Sequence, residues 1–382
     1  MSNTFLPALF GDDLSDEDHR KSLATLPVKY AGMGLPDPVR SATGNFTASE
    51  QLTSHLTAAL CGKGKFRSED HQRTCRATRL ELQERKNAQH EARLNGILPT
   101  LPVDIQRTVK RGKETGQFLS VVPSSVHGTI LSSQEFRDSI TLRYGGTPPN
   151  LPALCDGCNQ KFSVSHALTC KKGGLVISRH DEIRDELGDI ASKAFAPSSI
   201  RNEPKIHSGC YDVEPTAIVS EESPVSRNLR KNGEERGDLL IRSLWANGHD
   251  CIIDVRMTDT DAPSYRSKDP RKVLEQQERD KKRKYLQPCL EQRRHFTPFV
   301  VSTDGLIGSE ATALIKKLAG RISEKYGESY SHICGSLKAR MSIAIVRATH
   351  LCLRGSRIPT SQMSTTRRLQ WEDGAGLASF RF

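Results

Sequence analysis

Residues 236–285 constrain the fold more than any other stretch of the chain. Arg236-Gly237-Asp238 opens onto the apolar run Leu239-Leu240-Ile241. A second run, Cys251-Ile252-Ile253, leads into Asp254-Val255-Arg256. Short apolar, β-branched runs of this kind read as buried strands. Asn247-Gly248 lies between them and is a hairpin signal, because both residues tolerate left-handed backbone. Two antiparallel strands then each carry one carboxylate, and the pair can meet at one end of a sheet. The segment that follows has neither Gly nor Pro from Lys272 to Gln287 and holds the basic run Arg279-Asp280-Lys281-Lys282-Arg283-Lys284-Tyr285. It reads as a helix over about 270–294, with Val273, Leu274, Gln277, Tyr285 and Leu286 as its buried stripe. Lys281 and Lys284 lie near that stripe.

Two carboxylates and a lysine on one frame suit a hard divalent ion. Mg²⁺ takes one or two protein carboxylates and keeps several waters. It lowers the pKa of a bound water and neutralises charge on a phosphoryl oxygen. Asp238 and Asp254 are the expected Mg²⁺ or Mn²⁺ ligands. The stretch is similar to the PD-(D/E)xK nucleases, and that resemblance implies Lys281 or Lys284 as the catalytic lysine, with Arg236, Arg256, Lys282 and Arg283 as nucleic-acid contacts. Glu203, near the end of an expected strand over 199–206, and Glu182, on a helix over about 178–195, are candidates for a third acid. The alternative for the stretch is a surface hairpin followed by a solvated basic helix, since Asp is common at strand ends. Gly237 stands where the PD-(D/E)xK motif has proline, and Arg256 where it has lysine; in a variant of the family the lysine comes from the next helix.

Charge points the same way. The chain carries a formal charge of +11, which favours a polyanionic partner, nucleic acid first. No apolar stretch is long enough to span a membrane, and the acidic N-terminus does not read as a secretory signal. Of ten cysteines, three cluster with one histidine, which in a reducing compartment indicates a metal site and not a disulfide framework. Cys155-x2-Cys158-x7-His166-x3-Cys170 has the ligand types of a closed structural zinc site. Asp156-Gly157 permits the tight turn between the first pair, and a helical turn puts His166 and Cys170 on one face.

The order of elements expected around these motifs is helix, strand, strand, strand, helix, strand, helix. That is an α/β domain with one mixed sheet, here of restriction-endonuclease-like type, preceded by a mostly helical region and a small zinc knuckle. The divisions are a flexible acidic N-terminus over 1–25, a helical region over 26–150, the knuckle over 151–175, and the nuclease domain over 176–325. A C-terminal helix over 326–355 and a flexible basic and polar tail over 356–382 complete the chain. Gly11-Asp12-Asp13 resembles polymerase metal-binding acids but lacks a flanking strand. Residues 207–235 read as a variable loop.

Taken in order, the knuckle, Arg179-His180-Asp181, Glu203-Pro204, Arg236-Gly237-Asp238, Asp254-Val255 and Lys281-x2-Lys284-Tyr285 resemble the C-terminal region of non-LTR retrotransposon reverse-transcriptase polyproteins. Ala31-Gly32-Met33-Gly34-Leu35 resembles the turn after the polymerase thumb in that family. The resemblance implies a metal-dependent DNA endonuclease that nicks target DNA to prime reverse transcription, without a polymerase palm in this chain. It implies DNA, and element RNA, as partners, a reverse-transcriptase portion that is separate or lost, and action in the nucleus. It leaves a homodimer open. The competing reading is a catalytically inactive nucleic-acid-binding remnant that holds phosphates through charge alone.

Overall fold

The computed structural model describes residues 4–11, 14–15, 18–206 and 235–358. The chain divides into two units, Met1–Leu119 with Arg143–Gly145, and Ser120–Leu142 with Gly146–Phe382. The division falls earlier than the expected boundary near 150. The expected loop over 207–235 and tail over 356–382 lie almost wholly outside the described residues, as do Asp12 and Asp13.

The first unit is helical. Its opening corrects the expectation of a flexible stretch over 1–25: α1 (Phe5–Phe10) and α2 (His19–Ala24) bury Leu6, Leu9, Phe10, Leu23 and Ala24. The acids dominate the composition there, but the apolar residues recur on one helical face. The Asp18 side chain caps α2 by accepting from Arg20 N at 2.8 Å. α3 (Pro38–Leu60) and α4 (Ser68–Ile97) pack together and bury only Ala48 and Thr78, so their charged faces are solvated. α5 (Val103–Thr115) presents Gly112 to Ala31, where a Cβ would lie 2.6 Å from the alanine methyl. Arg143 ties the 28–32 turn, donating to the carbonyls of Val28 and Gly32 at 3.3 and 3.4 Å.

The second unit is a mixed α/β layer structure. It opens with α6 (Ser133–Arg143) and α7 (Val164–Thr169), followed by α8 (Leu175–Ala194). The sheet holds β1 (Ile200–Asn202), β2 (Leu239–Arg242), β3 (Asp250–Thr258) and β4 (His295–Ser302) in that spatial order. The first three run antiparallel and β4 pairs parallel with β3. A parallel pair needs a crossover, which α9 (Pro270–Glu291) supplies. α10 (Ser309–Tyr326) and α11 (Tyr330–Arg354) close the unit. The expected strand over 199–206 is shorter than read, because Glu203 takes a left-handed φ of 48° and ends it. The β2–β3 connection is a seven-residue loop, 243–249, with Gly248 at φ 79°.

Strand alternation decides which side of β3 does what. Cys251, Ile253 and Val255 face the main core, formed with Ile183, Leu187 and Ile190 of α8, Leu314 and Leu318 of α10, and Met341 and Ile345 of α11. The last helix is therefore part of the α/β core and not a separate appendage. Ile252 faces the other way, toward Tyr285 and Cys289 of α9. α9 begins cleanly because Asp269 accepts from the amides of Arg271 and Lys272, with Pro270 in the first turn. Glu278, buried on α9, caps the next helix in turn: it accepts from Glu310 N at 3.0 Å and Ser309 Oγ at 2.7 Å.

Asp138 fastens α6 to α11. Its carboxylate, 1% exposed, accepts from Arg354 Nη2 at 2.8 Å and Nε at 2.9 Å and faces His350 Nδ1 at 2.9 Å. Burial opposes its ionisation, but Arg354 and His350 outweigh it and hold the pKa at about 2. A depressed carboxyl pKa stabilises the fold above its ordinary 3.8 and loses that contribution as pH falls through about 2. Asp138→Asn is expected to lower unfolding free energy by about 2 kcal/mol at neutral pH. Urea titrations across pH 2–6 should show the gap from wild type closing toward pH 2; a gap independent of pH would contradict the assignment.

Candidate metal centres

The Cys-Cys-His-Cys module is built on a short turn. Leu154 and Lys161 bridge antiparallel, Cys155 N donates to Gln160 O at 2.8 Å, and Asn159 N returns to Cys155 O at 2.9 Å with φ 59°. Ser163 then caps α7, accepting from His166 N at 3.1 Å. The result brings Cys155, Cys158, His166 and Cys170 together, with all four ligand atoms within 4.8 Å of one another. Cys155 Sγ lies 3.8 Å from Cys170 Sγ, Cys158 Sγ lies 3.9 Å from Cys170 Sγ, and Cys158 Sγ lies 3.4 Å from His166 Nε2. A tetrahedron with Zn–S near 2.3 Å and Zn–N near 2.0 Å has S–S edges of about 3.8 Å and S–N edges of about 3.5 Å. The donor set therefore fits zinc, and the sulfurs are far too distant for disulfides, whose S–S bond is about 2.05 Å. Burial opposes ionisation of Cys155, yet the Gly157 amide, His166 and Cys158 bring its pKa down to about 6. Four protein donors around one ion would leave no position for substrate, as in a structural site.

The knuckle is bolted to the rest of its unit by two buried arginines. Arg179 of α8 donates through Nη1 to Leu168 O at 2.9 Å. Arg357, 3% exposed, donates through Nη2 to Ala167 O and Cys352 O at 3.1 and 2.6 Å, and lies 5.3 Å from the Phe162 ring centroid. Gly173, at φ 69°, passes so close that a Cβ would meet Arg357 Cα at 2.3 Å.

The second candidate centre lies where β2 begins. The β2–β3 register, Leu239 opposite Ile253, continued by one residue puts Asp238 opposite Asp254. Asp238 N donates to Ile253 O at 2.9 Å. Asp238 Oδ2 accepts from Val255 N at 2.6 Å and lies 3.2 Å from His180 Nε2. Asp254 is not at a strand end but in the middle of β3, 1% exposed, on the Ile252 face. Lys281 Nζ reaches to 2.7 Å of its Oδ2 from α9. The ion pair is at hydrogen-bond distance, and Asp254 Oδ1 accepts no hydrogen bond. Burial raises the pKa of Asp254 above the usual carboxylate range; Lys281 opposes the shift and Asp238 adds to it. His180 is pushed down by burial but raised above its ordinary value by Asp238 beside it. The two carboxylates lie on neighbouring positions of the sheet, and Asp254 offers a buried Oδ1 without a hydrogen bond, an oxygen of the kind that a hard divalent cation takes.

The other expected site residues are placed as follows. Lys284 Nζ pairs with Glu235 at 3.0 Å and stacks on Tyr285, so it is not with the aspartates. Glu182 projects from the exposed side of α8 among Arg347, Glu186 and Glu135, away from both aspartates. Glu203 is closer, its amide donating to Asp238 O at 3.0 Å. Arg236 donates through Nη1 to Glu203 O at 3.3 Å. Lys282 pairs with Glu310, and exposed Arg283 with Asp280 at 3.0 Å. Arg256 follows Asp254 by two residues, on the same face of β3. Gly237 occupies the motif's proline position for a local reason. A Cβ there would lie 2.3 Å from Ile252 Cγ2, and the Gly237 amide donates to Pro204 O at 2.9 Å, which a proline could not do. His180 carries no expected role from the sequence; its position on the buried edge of a helix four residues before Arg184 resembles any core histidine.

No family model matches the sequence, and no curated protein matches it.

Zinc content is measurable directly. Purified protein is expected to carry one zinc per chain by inductively coupled plasma mass spectrometry, with Cys170→Ser devoid of it. Removal by chelator should lower stability by several kcal/mol, about the scale on which structural zinc contributes to small folds. A metal-free wild type of unchanged thermal stability would rule the site out.

Proposed function

We propose that the second unit is a metal-dependent DNA endonuclease and that the zinc knuckle braces it. The observation that carries this reading is the convergence of Asp238, Asp254 and Lys281 from three elements, with Asp254 buried and its Oδ1 without a hydrogen bond. Mg²⁺ or Mn²⁺ held by the two aspartates would lower the pKa of a bound water and neutralise the scissile phosphate. Lys281 would hold its ammonium at Asp254 and stabilise charge developing on the phosphoryl oxygens. Lys284, committed to Glu235, is the weaker candidate. The helix–strand–strand–strand–helix–strand order and the mixed sheet are those required of a PD-(D/E)xK domain, and they support that identity.

The partner is DNA, reached in the nucleus, and the net charge of +11 suits it. Among the described residues no helix is long and apolar enough to cross a membrane. On this reading the chain is the post-polymerase piece of a non-LTR retrotransposon protein, cutting the strand whose end primes reverse transcription.

Nicking of supercoiled plasmid tests the chemistry. Wild type with Mg²⁺ or Mn²⁺ is expected to convert supercoiled to open-circular DNA, and Asp254→Ala to lose on the order of a hundredfold or more. Lys281→Ala should fall comparably, whereas Lys284→Ala should keep most of the activity. DNA binding without cleavage under every metal condition would leave a nucleic-acid-binding remnant as the better account.

A further inference from the structure

We propose, building on the metal-nuclease reading, that His180 is a positioning residue that locks Asp238 so that Oδ1 alone is offered to the metal. The Val255 carbonyl can only accept a hydrogen bond. His180 Nε2 lies 3.1 Å from that carbonyl oxygen, so Nε2 carries the proton. The same N–H lies 3.2 Å from Asp238 Oδ2. A nitrogen engaged in this way has no lone pair left for a cation, which separates His180 from the metal ligands. Its part is to share a donor between one backbone carbonyl and one carboxylate oxygen.

Asp238 Oδ2 is then filled from two directions. Val255 N donates at 2.6 Å and His180 approaches at 3.2 Å. Val255 thus contributes through both its N–H and its C=O, and the imidazole closes the ring of contacts between that peptide and the carboxylate. With Oδ2 occupied, the carboxylate cannot rotate about its Cβ–Cγ bond without breaking both contacts. Oδ1 remains for the cation. The ring is itself held. Nδ1 lies 3.5 Å from Asp181 Oδ1, which holds the doubly protonated ring, and Asp181 accepts from Arg184 Nη1 at 3.0 Å. Preceding Arg179 anchors α8 to Leu168 O, and Ile183 and Leu187 bury the helix in the main core. Removing the imidazole would leave Asp238 tethered by a single backbone donor.

The test is an electron paramagnetic resonance titration of full-length, zinc-loaded protein with Mn²⁺, comparing wild type, His180→Ala, His180→Gln and Asp254→Asn. His180→Ala is expected to bind Mn²⁺ about ten- to a hundredfold more weakly, as partners that orient metal-binding groups typically do. Its zinc content should be unchanged. His180→Gln, which keeps an N–H donor, should recover most of the loss; should His180→Ala not fold, the comparison of His180→Gln with wild type decides. Nicking by His180→Ala should return at saturating Mn²⁺. Equal Mn²⁺ affinity in wild type and His180→Ala, a His180→Gln no better than His180→Ala, or a kcat that stays low at saturating metal would each overturn the positioning role and leave the nuclease reading intact. Absence of Mn²⁺ binding in the wild type itself would overturn both.

Discussion

A carboxylate as buried as Asp254 needs a counter-charge, because desolvation otherwise drives it to its neutral form. Lys281 is that counter-charge, and most of the second unit's geometry follows from bringing it there. β3 is hydrogen-bonded on both edges, by β2 and β4, so Asp254 can only project from a face. The main core takes the Cys251, Ile253 and Val255 side. Asp254 is left with the α9 side, where Tyr285 and Cys289 seat the helix against Ile252 and Lys281 sits one turn before Tyr285. The crossover demanded by a parallel β3–β4 pair is therefore the same element that neutralises the sheet's buried acid. A pair of this kind is poor evidence for stability.

Around this pair the fold trades side-chain bulk for close approach. Gly237 lets the chain pass over Ile252 immediately before Asp238, and its N–H donates a hydrogen bond to Pro204 O that a proline could not make. Glu278, one turn before Lys281, caps α10, so one helix delivers both the lysine and the start of the next element. On the opposite face, α8 links the two candidate centres. Arg179 grips the knuckle through Leu168 O while His180, the next residue, touches Asp238. Arg357 grips the knuckle from the far end of α11. A module too small to bury a core of its own is thereby fastened to a helix that borders the aspartates.

The sequence alone determined a good deal. The Cys-Cys-His-Cys spacing carried the clustering of the four candidate zinc ligands, because a tight turn and one helical turn are local geometries. The acid-flanked apolar runs carried Asp238 and Asp254 to opposite sides of one hairpin, because period and turn chemistry set the register of neighbouring strands. The α/β order and most helix limits were legible for the same reason. What the tertiary structure alone decided concerns contacts between elements distant in sequence. Lys281 and Lys284 lie three apart and look alike, and only the seating of α9 gives one to Asp254 and the other to Glu235. Glu182 and His180 lie two apart on α8, and only its packing turns the histidine toward the aspartates and the glutamate away. The helix at Phe5–Phe10 was hidden behind acidic composition, since a few apolar residues become a buried face only when something distant, here Tyr144, covers them. Local spacing names the groups; long-range packing assigns their partners, because a side chain's neighbour across a sheet or helix face is fixed by elements that periodicity cannot see.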